Sequence, residues 1–319
     1  MNKNIVLSII IPAFNAEKTI LKTLNSIIGY TGKQIVEIII VNDGSTDGTL
    51  DICKKIIKQN KNINIKVSLV DQENAGHGSA INYGIRKAKG KYLRVLDADD
   101  YFDTKNFFKY LEFLSKVGDD LVISNYMEIS SKQKVICWTE EKKNLVNQEY
   151  DKIIEHTSPA LLPFSAVRTD ILRNAGKFVD EKCYYDDQEY DFLIITLCKT
   201  VSYYTKPIYC YVVGNADQSI SEKNQIKNIK DHEKVVKWLI KNYYETEISK
   251  EKKEFIFEKI LVPLCYQQYF IAIKLKKSRE DFLRFDCFLK SYKQLYRNSG
   301  VAGEKIMLHR LTKGLFIKI

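Results

Sequence analysis

The chain contains no run of about 18 consecutive apolar residues, so no membrane-spanning helix is expected in it. It also contains no Cys-x-x-Cys pair. The seven cysteines (Cys53, Cys137, Cys183, Cys198, Cys210, Cys265 and Cys287) are odd in number and scattered. That pattern argues against a zinc or redox site and reads as small buried hydrophobes in a reducing cytosol. Residues 1–11 pass from polar side chains into a β-branched run, without the long apolar region and small-residue cleavage site of a signal peptide. They read as a first strand. The spacing G-x-x-x-x-G-K-S and a dinucleotide fingerprint are both missing, which excludes the usual ATPase and dehydrogenase readings. Prolines number only five, and no repeat or low-complexity segment is evident. A cytoplasmic location is expected, with any membrane contact peripheral at the inner face of the plasma membrane.

What is present supports a sizeable core. Apolar residues make up 45% of the 319, with 15 Phe and 20 Tyr among the aromatics. The length suggests one large α/β domain with a smaller appended unit. The net charge of +10 is unevenly placed: residues 215–319 hold 22 Lys plus Arg against 13 Asp plus Glu, a net +9. Such a basic region can face anionic lipid, nucleic acid or water.

Residues 5–12, IVLSIIIP, form the continuous β-branched run of a strand covered on both faces. Helical spacing follows over 16–28, a second strand over 35–41, and a second helix marked by Leu50, Cys53, Ile56 and Ile57. A third strand is expected at 63–70, a third helix at 78–88 and a fourth strand at 91–96. This alternation predicts right-handed crossovers and a Rossmann-like, mainly parallel sheet with ligands beyond the carboxyl ends of its strands. Further on, the pattern predicts a helix at 106–116, a strand at 120–127, a helix at 187–199 and a strand running into a loop at 210–221. Long charged helices over 228–244 and 250–276 are expected to form a C-terminal helical extension. The expected division is 1–221 (halves 1–103 and 104–221) and 222–319.

Three acidic or polar motifs stand at expected strand exits. Asp97-Ala98-Asp99-Asp100 concentrates carboxylates that repel one another unless a cation or a set of donors offsets them. Mg²⁺ or Mn²⁺ does so with one or two protein carboxylates, leaving positions for water and phosphate oxygens. Taken alone, such a cluster is also an ordinary acidic turn. Asp43, within Asn42-Asp43-Gly44-Ser45, can accept a hydrogen bond from a uracil imide or a ribose hydroxyl, and it can equally form an Asx turn that caps the next helix. Pro12-Ala13-Phe14-Asn15 offers an aromatic face for a base, or a plain strand exit. A fourth segment, Asn74 to Asn82, is Gly-rich around Gly76 and Gly78 and leads into the third helix.

In order, the text reads IIIPAFN, VNDGSTDGT, NAGHGSAINYGI and LDADD. This succession resembles family 2 glycosyltransferases, inverting enzymes of bacterial glycan biosynthesis with an A-type fold. The likeness is strong from Ile5 to Asp103 and thinner afterwards. It implies a nucleotide-sugar donor, a UDP-sugar above all, with Mn²⁺ or Mg²⁺, and a glycan or lipid-linked oligosaccharide as acceptor. By the same resemblance Pro12, Ala13, Phe14, Asp43 and Gly76 hold the nucleoside end. Asp97, Ala98 and Asp99 then hold the ribose and diphosphate, with the metal on Asp99 and Asp97. Phe14 replaces the commoner Tyr, and His77 with its neighbours stands where the family often carries Arg. A packed or solvated imidazole is the default expectation for His77.

Inversion requires a base opposite the leaving diphosphate. The family's second acidic motif matches Tyr184-Tyr185-Asp186-Asp187-Gln188-Glu189-Tyr190, with Asp186 in place of the usual Glu. Asp187 is the expected base and Asp186 the alternative; both also suit the N-terminus of a helix. Gln218 and Ser219 match a loop that closes over donor or acceptor. Two other readings compete. A sugar-phosphate nucleotidyltransferase would open with a Gly-rich loop and Arg or Lys, which this first strand exit lacks. A basic adaptor for membrane or nucleic acid would leave the strand-exit acids unexplained, so no nucleic-acid partner is expected. An anionic membrane surface remains a partner open to the basic region.

Overall fold

A computed structural model describes residues 4–130, 133–136, 143–176, 179–213, 221–301, 304–315 and 317. Cys137, Gln218 and Ser219 lie outside the described residues. The chain divides into two compact units, Met1–Gly214 and Asn215–Ile319. This division falls ahead of the expected boundary at 221.

The first unit opens with β1 (Ile5–Ala13), α1 (Ile20–Ile28), β2 (Ile35–Asp43), α2 (Thr49–Gln59), β3 (Ile65–Gln72), α3 (His77–Lys87) and β4 (Tyr92–Val95). β1 lies between β2 and β4, parallel to both, and β3 extends the parallel set beyond β2. Its central residues are buried because helices cover both faces of such a sheet, which is what the unbroken β-branched run anticipates. The α3 helix lies close on β1: a Cβ at Gly84 would stand 2.4 Å from Ile10 Cδ1. Two elements start two or more residues later than expected. The helix expected from residue 16 starts at Ile20, because the Ala16 carbonyl first accepts the amides of Thr19 and Ile20 in a turn. The third strand starts at Ile65, leaving Ile63 88% exposed.

The second half adds β5 (Tyr101–Phe102), α4 (Thr104–Lys116), β6 (Leu121–Ile129), β7 (Gln133–Ile136) and β8 (Leu145–Glu149). Short helices α5 (Tyr150–Ile153) and α6 (Thr169–Asn174) flank β9 (Ser165–Arg168), and α7 (Asp186–Leu197) leads into β10 (Thr200–Val212). The sheet order is β3-β2-β1-β4-β9-β6-β10-β5, with β7 on β6 and β8 on β10. β9 runs antiparallel to both β4 and β6, so the sheet is mixed beyond its parallel half. β10 starts ten residues before the strand read from the sequence at 210, its register shifting between Tyr204 and Tyr209. Pro207 sits in that shift and carries no N–H for the ladder, which disguises one bent strand as two segments.

The second unit is helical among the described residues: α8 (Glu222–Lys227), α9 (Ile229–Glu245), α10 (Lys250–Phe255), α11 (Val262–Phe270), α12 (Arg279–Leu289), α13 (Lys293–Val301) and α14 (Glu304–Leu311). Wide π turns at Ile256–Leu261 and Ile271–Leu275 join α10 and α11 into one helical run ending at Leu275. Pro263 follows the first of these turns and cannot donate backward into a regular ladder. Leu239, Leu261, Tyr269, Phe282, Phe285 and Leu289 are buried in this unit. Part of its basic excess is paired, Arg284 with Glu233 at 2.6 Å and Arg310 with Asp286 at 3.0 Å. Among the described residues no helix is long and apolar enough to cross a membrane. Of the described cysteines five are buried, whereas Cys287 is exposed, contrary to the expectation of burial.

Candidate active site

The exits of β1 and β2 are stitched together. Asn15, with φ of 49°, donates its amide to Ser45 Oγ at 3.0 Å, and its side-chain oxygen accepts the Thr46 amide at 2.9 Å. Pro12 and Ala13 pair beside Val41 and Asn42 and are buried, while Phe14 projects with 53% exposure. An aromatic face beside a polar strand exit suits a nucleobase, as its position implies.

Asp43 is 3% exposed and already engaged. Its Oδ1 accepts from Gln72 Nε2 at 2.7 Å and from the Ala75 amide at 2.9 Å, and its Oδ2 accepts from the Gly76 amide at 2.8 Å. Asp43 therefore fixes the approach to α3, whatever else it contacts. Gly44 at φ +70° passes so close that a Cβ would stand 2.7 Å from the Asn74 amide nitrogen.

The Asp97 turn hangs beneath the end of β4. Thr23 on α1 donates to the carbonyls of Ala98 and Asp100 at 2.9 and 2.7 Å, and the Asp100 amide closes the turn on the Asp97 carbonyl at 3.1 Å. Tyr209 from β10 places its hydroxyl 2.6 Å from Asp100 Oδ2 and 3.3 Å from Asp97 Oδ2. Burial, then the charge of Asp97, raises the Asp99 carboxyl above its ordinary range. The same two causes push Asp100 up to about 8, although Tyr209 and the Val212 amide donate to it. Behind Tyr209 lies Arg94, fully buried, with no carboxylate paired to it among the described residues. Its guanidinium sits 5.5 to 5.8 Å from the ring centres of Phe102, Tyr110 and Tyr209.

The second acidic motif opens α7. Asp186 is 5% exposed, and its Oδ2 lies 3.0 Å from His77 Nδ1. The other ring nitrogen of His77 lies 3.3 Å from Asp97 Oδ1. Burial alone would lower the imidazole, but the charge and hydrogen bond of Asp186, followed by those of Asp97, hold it well above its ordinary value. His77, its side chain 37% exposed, is more than a packed or solvated histidine: it is an ion-paired bridge between two acidic motifs. Asp187 is partly buried and pushed up to about 6, by burial first and the charge of Asp186 second.

The sequence-derived residues thus fall into two groups. His77 joins Asp97 directly to Asp186, with Asp99 and Asp187 in the same electrostatic neighbourhood. Pro12, Ala13, Phe14, Asp43 and Gly76 line the β1, β2 and α3 edges. Among the described residues no cluster of three His, Cys, Asp or Glu side chains forms a ready metal cage. Asp97 and Asp99 still fit a hard cation: they are neighbouring oxygen donors, Asp99 raised by burial and then by the charge of Asp97, and a cation that keeps several ligands from substrate needs no more. Thr23, Tyr209 and Arg94 carry no motif signal. Thr23 and Tyr209 hold the turn directly, from helix and strand positions that read as ordinary core, and Arg94 packs against the Tyr209 ring.

The sequence profile of glycosyl transferase family 2 matches residues 8–174, more than half of the chain. The chain belongs to that family. It is 29% identical over 152 residues, 48% of the chain, to glycosyltransferase GlyA of Streptococcus pneumoniae, covering 20% of that protein. It is 26% identical over 218 residues, 67% of the chain, to the poly(ribitol-phosphate) beta-N-acetylglucosaminyltransferase TarS of Staphylococcus aureus, covering 36% of it. The chain thus spans well under two thirds of the length of these relatives. The crystal structure of S. aureus TarS 1-349 superposes with a TM-score of 0.62 at 18% identity, covering 92% of this chain and 90% of that one. The mannosyltransferase PcManGT of Pyrobaculum calidifontis gives a TM-score of 0.55 at 14% identity, covering 100% and 89%. These superpositions show the fold, and the α/β architecture with a helical C-terminal region agrees with the expected A-type fold.

Proposed function

We propose that this family 2 member transfers a sugar, with inversion, from a UDP-sugar to a hydroxyl of a glycan or lipid-linked oligosaccharide. The observation that carries the reading is the convergence of the Asp97 turn and the start of α7 on His77, which sets two acidic motifs on one site. In this reading Phe14 and the Asp43–Gly76 edge receive the nucleoside, and Asp97 and Asp99 hold Mn²⁺ or Mg²⁺. That cation, when bound, offsets the charge of the departing diphosphate. Asp187 takes the proton of the acceptor hydroxyl, whose oxygen bonds to the anomeric carbon as the bond to the diphosphate oxygen breaks on the opposite face. Its raised pKa suits a base working near neutrality. Asp186, buried against His77, is less free to meet an acceptor.

TarS, known in complex with UDP-GlcNAc, supports a UDP-sugar donor, and PcManGT, known in complex with GDP-Man and Mn2+, supports a nucleotide-sugar donor with a divalent cation. The basic C-terminal unit, in the same reading, rests on anionic lipid near a lipid-linked acceptor, since Met307, Leu308, Leu311 and Leu315 are exposed on α14 and the turn after it.

The test is nucleotide release from UDP-glucose, UDP-galactose, UDP-N-acetylglucosamine and GDP-mannose, with Mn²⁺ or chelator and with cell-wall glycan fractions as acceptors. Metal-dependent turnover of one UDP-sugar that Asp99→Asn abolishes is the expected result. No turnover and no UDP binding by the wild type would refute the reading.

A further inference from the structure

We propose that His77 is a positioning residue that locks the start of α7 to the Asp97 turn, and that Asp186 is its anchor. The proposal rests on the glycosyl-transfer reading and adds to it a residue that neither the base nor the metal assignment includes.

The α3 and α7 helices meet at their first residues, His77 and Asp186, 109 positions apart in the chain. Neither helix start has a side-chain cap hydrogen bond, and Tyr185 enters α7 with φ of 72°. A helix start without its own cap is held by tertiary contacts, and here those contacts come from α3 and the loop leading into it. The Lys182 amide donates to the Ala75 carbonyl at 2.8 Å. Asn82 donates to the Val179 carbonyl at 2.8 Å and accepts the Val179 amide at 3.2 Å. Gly78 leaves no room between the two: a Cβ there would stand 2.3 Å from the Asp180 carbonyl oxygen and 3.0 Å from Asp186 Oδ2. His77 is the point at which this packed seam also reaches the donor side, through Asp97 at 3.3 Å.

One chain of contacts therefore runs from Asp43 through the Ala75 and Gly76 amides to His77, and from there to Asp97 on one side and Asp186 on the other. Without the imidazole, the buried Asp186 carboxylate loses a partner and moves toward water. The first turn of α7 moves with it, and Asp187 belongs to that turn. A displacement of about 1 Å at a reacting group is enough to cost about 100-fold in rate.

The experiment measures transfer kinetics with the active donor and acceptor found in the panel, and UDP binding in Mn²⁺, on the full chain. His77→Ala is expected to lower kcat roughly 10- to 100-fold while UDP affinity changes about threefold or less. His77→Asn, whose amide nitrogen falls near the position of Nδ1 and so restores the Asp186 contact alone, recovers part of the loss, and His77→Gln, which does not restore that contact, recovers less. Asp186→Asn, whose amide oxygen still accepts from His77, falls no more than roughly tenfold, against roughly 1000-fold or more for Asp187→Asn. A kcat of His77→Ala within about twofold of an active wild type overturns the proposal, as does an Asp186→Asn as inactive as Asp187→Asn. An inactive wild type counts against the glycosyl-transfer reading instead. Thermal unfolding then decides the His77 link without substrate: for His77→Ala and Asp186→Ala, a double variant no less stable than the worse single supports it, and additive losses overturn it.

Discussion

The Tyr209 hydroxyl, near the end of the sheet's longest strand, donates to Asp100 at 2.6 Å and so ties β10 to the acidic turn after β4. Asp100 keeps a second donor in the Val212 amide at 2.7 Å. Tyr209→Phe removes one bond from a buried carboxyl group and leaves the ring packing intact. Stability is expected to drop by about 1–3 kcal/mol, the cost of a buried acceptor losing a partner. Because Asp97 loses the same hydroxyl, Mn²⁺-dependent donor binding should weaken as well. Urea unfolding together with UDP titration in Mn²⁺ checks both, and a variant with wild-type values on both counts would show that the hydroxyl is dispensable.

The parallel half of the fold and its strand-exit motifs were legible because each strand is a short β-branched run that ends in a turn-forming polar cluster. Ile5–Ala13 and Ile35–Asp43 need only local pattern to be found. The second half was less legible. β9 is four residues long and leaves no periodic signal, and β10 is broken in pattern by Pro207, so the sequence shows only its end from Cys210. The site shows the same contrast. Asp97, Asp99 and Asp187 stand in local motifs, whereas the partners of His77 lie 20 and 109 positions away and follow only from the folded chain.

Asp43 offers a second test, because its carboxylate receives three donors from the edge leading into α3. Asp43→Asn places an N–H₂ against at least one backbone amide, so the Ala75–Gly76 segment loosens. Nucleotide affinity is expected to fall roughly tenfold or more, with a stability loss of about 1–3 kcal/mol. Calorimetric titration with UDP measures the first. Unchanged affinity would remove Asp43 and its loop from the nucleoside site.

On α14 and the turn after it, Leu311 is 80% and Leu315 63% exposed, in a unit with a net charge of +9. Apolar side chains on a basic surface insert at the boundary of an anionic bilayer. Sedimentation with vesicles containing phosphatidylglycerol is expected to carry down the wild type, less so in high salt. Leu311→Glu with Leu315→Glu should lose most of that binding while the unfolding temperature holds. Equal binding to neutral and anionic vesicles would remove the role of its charge, and binding to neither would leave the unit without a lipid partner.

Asp187 links pH to both activity and stability. Its carboxyl is pushed up to about 6 from 3.8 by burial and by Asp186, so the protonated form is favoured in the folded chain relative to the unfolded one. The stability this confers is present below the unfolded pKa and is lost as pH rises through about 6, whereas a base must be ionised and works only above that value. The two requirements oppose one another at a single residue. Transfer by the wild type is expected to fall as pH drops through about 6, and Asp187→Asn to abolish transfer at every pH. The same variant should be more stable than the wild type by about 1–3 kcal/mol at pH 8 and no more stable near pH 4, since the neutral amide has no charge to desolvate. Paired pH profiles of transfer and urea unfolding measure both halves. A variant equally or less stable at pH 8, with the acid limb of activity unmoved near pH 4, would show that Asp187 is neither strained by its charge nor the base.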